Sequence, residues 1–353
     1  MSRVLHRPSL LWLWVLALLV GCALEGRTTA LPPADVAAEI RANYEQALPT
    51  LPAGKQRHYA QRLYRLTGDD RYLPLNRAYG QRLLTSLREE IDGLAESGHA
   101  ARRAREKVAD YPTRSLKQQR RKRMLGEWGE IGYAKSLAFQ LTQASYHGLL
   151  DAQHLPGYRR ALAYLEGVDF RPFLTDPGVM EIYAAQVANL VYYLHHLGVA
   201  DLREPVIAAF RRHYPPERDG ALSRASFRNK IYGMTHFVIA ASDYYQRRVS
   251  REEFDWILAY FASRLDRILA ETKADIYTEV GISFLLAGRE DAPAVQRLRE
   301  ALVGAYDPRA RMVPSESGGT DLGYGEHRNV LAIMLLGWPG RLHPGPSLEL
   351  SSQ

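Results

Sequence analysis

Four titratable residues in the second half of the chain could carry acid–base chemistry: His236, Glu279, Glu326 and His327. In one alignment of three successive sequence repeats, the first three occupy a common position, each after a Thr or a Gly. An alignment on the tyrosine that opens each repeat shifts His236 by two positions instead, and both registers stay open. Cleavage of a glycosidic bond needs two carboxyl groups, one protonated and one ionised, about 5–9.5 Å apart. Glu279 and Glu326 are therefore candidate catalytic carboxyls. His236 or His327 would act as a base or shift the pKa values of the two carboxyls.

A metal site is a second interpretation of the same residues. His236, Glu279 and His327 could bind Zn²⁺, since two histidines and one carboxylate can leave a coordination position open. No compact motif, such as two histidines at i and i+4, accompanies them. The chain has a single cysteine, Cys22, which excludes cysteine-cluster metal sites and an internal disulfide.

Four further charged residues lie at or just before the same repeats and are candidates for substrate binding: Arg228, Lys230, Asp275 and Asp321. The alternative for all eight residues is a purely structural role. Charged side chains at the start of a helix also cap it and form ion pairs between neighbouring repeats, since an acidic group near a helix N-terminus is stabilising.

An internal repeat of about 47 residues must position these side chains. Five apolar segments open on tyrosines spaced by 50, 49, 45 and 47 residues: Tyr133, Tyr183, Tyr232, Tyr277 and Tyr324. A period in this range indicates a repeated supersecondary unit. Each segment is apolar on nearly all sides, as a buried helix is, and amphipathic segments such as 204–214, 252–269 and 292–305 lie between them. We therefore expect an all-α domain of alternating inner and outer helices, with few strands.

Residues 35–84 add a further predicted helix pair, and the phrase Leu-Tyr-Arg-Leu-Thr-Gly-Asp-Asp-Arg-Tyr-Leu at 63–73 resembles the α/α-toroid proteins. That superfamily includes six-hairpin glycosidases, polysaccharide lyases, sugar epimerases and lanthionine cyclases. The phrases Lys-Ile-Tyr-Gly-Met-Thr-His at 230–236 and Glu-Val-Gly-Ile-Ser-Phe-Leu-Leu-Ala-Gly at 279–288 resemble more closely a bacterial family with no assigned function. The resemblance covers residues 40–340. It implies an α/α toroid of five to six helical hairpins, in which the N-terminal ends of the inner helices lie around one shared cavity.

The N-terminal residues resemble the signal of a bacterial lipoprotein. A basic start precedes an apolar run from Leu10 to Val20, which is typical of a secretory signal. The phrase Leu-Val-Gly-Cys at 19–22 is similar to the lipobox, which implies cleavage before Cys22, its acylation with palmitate-like chains, and anchoring in the bilayer. Ala23 after the cysteine favours the outer membrane by resemblance to enterobacterial sorting. The alternative is an uncleaved anchor of 17 uncharged residues, which is short for a bilayer span.

These features predict a lipoprotein of the bacterial cell envelope that faces the periplasm. The predicted organisation is a signal peptide over 1–21, a lipidated tether over 22–34, a toroid domain over 35–340 and a flexible tail over 341–353.

The net charge of +7 is concentrated in one place. Residues 101–123, within a predicted helical insert at about 85–125, carry ten basic and two acidic residues. Secretion and the lack of interleaved aromatic residues argue against a nucleic-acid partner. The segment could contact anionic lipid or acidic glycan, or be a solvated helix pair around Tyr111-Pro112.

Two classes of function remain. The first is an enzyme or binding protein that processes or binds a carbohydrate, similar to a glycoside hydrolase, lyase or epimerase. The second is a non-catalytic envelope scaffold that binds a protein, an anionic lipid or a glycan. An enzyme requires a deep pocket that holds several of the titratable groups with shifted pKa values, whereas a scaffold leaves them paired.

Overall fold

The computed structural model describes residues 31–350. The predicted signal peptide, the lipidation site Cys22 and tether residues 22–30 lie outside the described residues, as do residues 351–353 of the predicted tail. No helix among the described residues is long and apolar enough to cross a membrane.

The described residues form sixteen α-helices and three short 3₁₀ segments, with no β-strand among them and one isolated bridge between Asp307 and Met312. The predicted all-α class is therefore confirmed. In chain order the helices are α1 (Pro33–Ala47), α2 (Ala53–Thr67), α3 (Leu73–Gly93), α4 (His99–Ala109), α5 (Leu116–Glu127), α6 (Ile131–Tyr146), α7 (Tyr158–Glu166), α8 (Arg171–Thr175), α9 (Pro177–His196), α10 (Arg203–His213), α11 (Arg224–Ala241), α12 (Arg251–Ser263), α13 (Leu265–Glu271), α14 (Ala274–Leu286), α15 (Pro293–Gly304) and α16 (Leu322–Leu336).

Each of the five apolar repeats forms one helix: α6, α9, α11, α14 and α16. The pattern predicts their burial correctly, since every residue of α14 from Ile276 to Leu286 is buried. The amphipathic segments between them form α10, α12 with α13, and α15. The predicted segment 252–269 is divided at Arg264, which is the C-cap of α12 and the N-cap of α13.

The repeat helices pack on one another in chain order: α6 on α9, α9 on α11, α11 on α14, and α14 on α16. The last of them, α16, packs on α2 near the start of the chain. On α2, Gln61 donates a hydrogen bond of 3.1 Å to Gln143 of α6. Helix α2 therefore contacts both the last and the first of the five repeat helices.

Two glycines allow neighbouring repeat helices to approach closely. A Cβ atom on Gly281 of α14 would lie 2.7 Å from a methyl group of Leu335 on α16. A Cβ atom on Gly233 of α11 would lie 2.8 Å from the Cβ of Ala184 on α9. Both distances are shorter than carbon atoms tolerate, so these contacts depend on glycine.

The basic segment forms α4 and α5 on either side of Tyr111-Pro112, as the sequence predicts. Helix α4 packs on α6, and α5 packs on α9. The guanidinium of Arg121 on α5 lies 4.9 Å from the ring centre of Tyr183 on α9.

Residues 343–350 of the predicted flexible tail contact the C-terminal ends of α2 and α6. The buried guanidinium of Arg65 on α2 donates to the carbonyl of Gly345 at 2.8 Å. The buried His147 donates from Nδ1 to the carbonyl of Pro346 at 2.8 Å, and its own carbonyl accepts from the amide of Leu348 at 2.9 Å. This segment is held because its backbone satisfies polar side chains that are buried there.

Gly281→Ala should lower the free energy of unfolding by about 1–3 kcal/mol, because the new methyl group collides with Leu335 inside a packed helix interface. The matched control is Gly304→Ala in α15, where nothing lies within 4 Å of the added atom. That variant should be neutral or stabilising by about 0.4–1 kcal/mol. Urea denaturation followed by circular dichroism compares them, and equal stability of the two variants would contradict the close approach.

Candidate functional site

Five titratable side chains from four helices meet near the N-terminal ends of α2, α14 and α16: His58, His236, Glu279, Glu326 and His327. Side-chain oxygens cap two of the helices. Ser223 accepts from the amide of Ser226 at the start of α11, and Asp321 accepts from the amide of Tyr324 at the start of α16. These caps fix where each helix begins and hence which residues of its first turns face inward.

A continuous series of contacts connects Glu326 to Glu279 through two imidazole rings. Glu326 Oε1 lies 2.7 Å from His58 Nδ1, and His58 Nε2 lies 3.2 Å from His327 Nδ1. His327 Nε2 then lies 3.7 Å from Glu279 Oε1. The two carboxyl groups predicted as a catalytic pair are thus connected by way of His58 and His327.

The series continues from Glu279 to α11 and α9. Glu279 Oε2 accepts a hydrogen bond of 2.8 Å from the hydroxyl of Thr235 and lies 3.7 Å from His236 Nε2. The other ring nitrogen of His236, Nδ1, is 2.8 Å from Asn189 Oδ1. An amide oxygen only accepts hydrogen bonds, so Nδ1 carries the proton and Nε2 presents its lone pair towards Glu279.

Burial determines the protonation of these groups. Burial raises the pKa of Glu279 to about 8, although the hydrogen bond from Thr235 acts in the opposite direction. Burial likewise raises the pKa of Glu326 to about 7, although the positive charge of Arg62 lowers it. Burial and the charge of Arg62 together lower the pKa values of His236 and His327 to about 3. At neutral pH the site therefore holds a protonated Glu279 beside two neutral imidazoles.

The Nε2 atoms of His236 and His327 are buried and have no hydrogen-bond partner among the described residues. Each faces a different oxygen of Glu279. A neutral imidazole with a free lone pair is a base, and a buried carboxylic acid is a proton donor. The arrangement therefore places one acid between two bases, which suits the transfer of protons to and from a bound molecule.

A cleft of about 940 Å³ opens beside this cluster, between the N-terminal ends of α2 and α16. Lys55, His58 and Tyr324 line it, and Lys55 Nζ lies 3.6 Å from Glu326 Oε2. The side chains of His58 and His327 are 16% and 28% exposed, so the otherwise buried cluster is open to solvent on this side. Tyr324 is 87% exposed, an unusual environment for a large aromatic ring.

On another side of the cluster, three consecutive residues adopt the left-handed conformation: Asp243, Tyr244 and Tyr245, with φ of 53°, 57° and 72°. Each such residue that is not glycine costs about 1–3 kcal/mol unless the surroundings hold it. The Tyr244 carbonyl accepts from Arg65, and its hydroxyl accepts from Tyr193. The strained turn is therefore fixed, and it places the ring of Tyr245 5.4 Å from the guanidinium of Arg62.

The four predicted substrate-binding residues lie outside this cluster. Lys230 is buried in an ion pair with Asp219, at 2.5 Å. Arg228 donates to the carbonyl of Glu271 and pairs with Glu316. Asp321 caps α16 at the rim of the cleft. Asp275 lies in the first turn of α14, where its charge contributes to the raised pKa of Glu279.

Sequence reasoning missed His58, Arg62 and Asn189, which complete the cluster from α2 and α9. A signal was present in α2, because the spacing of four between His58 and Arg62 places both on one face of the helix. This spacing points to the site only once it is known that α2 packs against α16.

The described residues do not fit the zinc hypothesis. No group of three or more histidine, cysteine or acidic side chains between 31 and 350 is arranged to hold a metal ion. His236 and His327 approach opposite oxygens of Glu279 instead.

The chain belongs to the family DUF3541, a domain of unknown function, whose model matches residues 33–353. No curated protein and no solved structure matches the chain.

Glu279→Gln should abolish a pH dependence of stability near neutrality. The carboxyl titrates near pH 8 in the folded protein and near 4.5 when unfolded, so its stabilising contribution is complete below about pH 4.5 and is lost as the pH rises through about 8. Wild type should lose about 1 kcal/mol of unfolding free energy from pH 7 to 8 through this group, and the variant should not.

Chemical denaturation at several pH values measures this slope. Glu89→Gln, at an exposed position on α3, is the control and should retain the wild-type slope. An unchanged slope in Glu279→Gln would show that Glu279 is already ionised at pH 7.

Proposed function

We propose that this protein processes a carbohydrate by acid–base chemistry at the cluster of His58, His236, Glu279, Glu326 and His327. One observation carries the proposal: a buried Glu279 with a pKa of about 8 lies between the unpaired Nε2 atoms of two neutral histidines, and its contacts run through His327 to His58, which lines an open cleft. A cluster that served only to hold helices together would have its donors and acceptors paired.

We propose further that the domain is an α/α toroid. The contacts run in order through α6, α9, α11, α14 and α16, then from α16 to α2, and Gln61 on α2 bonds to α6. A closed circuit of this kind supports a toroid whose inner helices surround the titratable cluster. The resemblance at residues 63–73 supports the same arrangement.

The roles of the residues follow from their protonation. Glu279 is the general acid, since it carries a proton at neutral pH. His236 is the general base, and Asn189 holds its tautomer through Nδ1. His327, His58 and Glu326 form a relay that returns a proton to Glu279 after each turnover: Glu326 to His58 and His58 to His327 are within hydrogen-bond distance, at 2.7 and 3.2 Å. The last step spans 3.7 Å from His327 to Glu279 and requires His327 to approach during turnover.

The cleft suits a sugar. Its volume of about 940 Å³ lies within the range of small-molecule sites. The exposed ring of Tyr324 at its rim is placed to stack on the apolar face of a pyranose ring, with Lys55 and His58 as polar partners nearby.

We propose an envelope location for this activity. The lipobox at 19–22 supports acylation of Cys22 and a lipoprotein in the outer membrane that faces the periplasm. The substrate would then be a glycan that is present in that compartment.

Glu279→Gln should reduce turnover of a responsive saccharide by about 10²–10⁴-fold, because the amide cannot donate the proton. The probe is a panel of neutral and acidic di- to tetrasaccharides, with products identified by mass spectrometry. His236→Ala should lose activity to a comparable degree through loss of the base. Glu89→Gln should retain wild-type turnover. Wild-type activity should also fall as the pH rises through about 8, where Glu279 loses its proton.

Conversion of no saccharide, together with no binding at millimolar concentration by calorimetry, would refute the carbohydrate proposal. Full activity of Glu279→Gln would refute its role as the acid.

An envelope interaction function has one observation in its favour. Leu116, at the start of α5, is 78% exposed. Arg114, Arg120 and Arg123 around it are exposed and form no ion pair with a described carboxylate. An exposed apolar side chain among unpaired cations is typical of contact with an anionic lipid surface.

A chain that begins at Ala23, without the predicted acylation site, should cosediment with vesicles that contain phosphatidylglycerol and not with pure phosphatidylcholine. Leu116→Ser and Arg120→Glu should each weaken this association severalfold, whereas Arg77→Glu, at an exposed position of α3, should not. Equal binding to both vesicle types would contradict the proposal that this surface recognises anionic lipid.

A further inference from the structure

Arg62 is a buried cation without a counter-ion. Only 6% of the residue is exposed, and its Nε atom has no hydrogen-bond partner. Its Nη1 atom donates to the carbonyl of His58 at 3.3 Å. No described carboxylate lies within ion-pair distance of the guanidinium, whereas Arg103, Arg203 and Arg228 each pair with one.

The guanidinium lies within the titratable cluster. Its positive charge is the foremost charge that lowers the pKa values of His58, His236 and His327. Of the two nearby carboxyl groups, Glu279 is mostly protonated at pH 7 and Glu326, with a pKa of about 7, is only partly ionised, so together they offset the charge incompletely.

An arginine in this position is unfavourable for the protein alone. A buried charge without a partner is strongly destabilising, and the contact with the ring of Tyr245 offsets only a small part of that cost. The side chain cannot escape the cost by losing its proton. The cost is offset if an anion from outside occupies the free edge of the guanidinium.

We propose that Arg62 binds an anionic group of the ligand, so that the carbohydrate accepted by this site is an acidic sugar. The inference rests on the proposed function, which supplies the sugar. Because Nη1 is occupied by the His58 carbonyl, the edge that carries the buried Nε is the one that lacks a partner. Such an edge holds a carboxylate or phosphate through two parallel hydrogen bonds.

The charges on α2 agree with this assignment. The helix carries Lys55, Arg57, Arg62 and Arg65 and no acidic residue. Lys55 and Arg57 both line the cleft that leads to His58. A cleft with cations along one wall attracts an anionic ligand to His58, which lies one helical turn before Arg62 on α2.

The test compares glucuronate, glucose 6-phosphate and glucose by calorimetry on the full chain. Wild type should bind at least one of the two acidic sugars about tenfold or more tightly than glucose. Preference for glucuronate identifies a carboxylate as the anion, and preference for glucose 6-phosphate identifies a phosphate. Arg62→Met should reduce this ratio to about one through weaker binding of the acidic sugar. Arg77→Met is the control at an exposed position and should behave as wild type.

Thermal unfolding provides a second measurement. Arg62→Met should raise the Tm of the ligand-free protein, since it removes an unpaired buried charge, and should abolish the increase in Tm that the acidic sugar causes in wild type. If Arg62→Met fails to fold, Arg62→Lys, which keeps the charge, is used in its place. It should bind the acidic sugar more weakly than wild type, because an ammonium lacks the planar fork.

Equal affinity of wild type for acidic and neutral sugars would overturn this inference and leave the carbohydrate proposal standing. Binding of inorganic phosphate that depends on Arg62, with no affinity for any sugar, would overturn the carbohydrate proposal and retain the anion site.

Discussion

The hydrogen bond between His58 and Glu326 joins residues that lie 268 positions apart, and the rest of the site depends on it. Glu326 is fully buried, so its carboxyl group requires a partner, and only α2 supplies one at hydrogen-bond distance. The same contact places the free edge of His58 against His327 and brings Arg62 among the side chains of the last three repeat helices. The pairing of α2 with α16 is therefore a requirement of the chemistry as well as of the fold.

Desolvation provides the reactivity of this cluster. In water a glutamate is ionised at pH 7 and could not serve as the acid proposed here, whereas a histidine is already mostly neutral. Burial among apolar helices keeps the proton on Glu279 and makes His236 fully neutral, without any covalent change. The apolar character of α11, α14 and α16, which first identifies them as inner helices, thus also sets the protonation of the few polar groups they carry.

The sequence predicts the helices much better than it predicts the site. A period of about 47 residues and apolar patterning are local properties, so all five repeat helices and the helix pair around Pro112 form where they are expected. The sequence predicts that His236, Glu279, Glu326 and His327 converge because titratable residues recur in successive repeats. His58 and Asn189 are not part of this recurrence, so their position in the site depends on which helices become neighbours. Position in the sequence alone does not fix where a side chain points, as Lys230 shows by pairing with Asp219 outside the cluster.

The contact of residues 343–350 with Arg65 and His147 has a consequence for biosynthesis. The acceptor for Arg65 follows it by 280 positions in the chain, so α2 is made long before the segment that completes its contacts. Until the two meet, Arg65 and His147 lack these carbonyl acceptors. A protein cut before residue 343 by a nonsense mutation or a protease would carry every predicted catalytic side chain and still lack the acceptors that complete its framework. Residues 343–350 thus act as a check that the domain is whole.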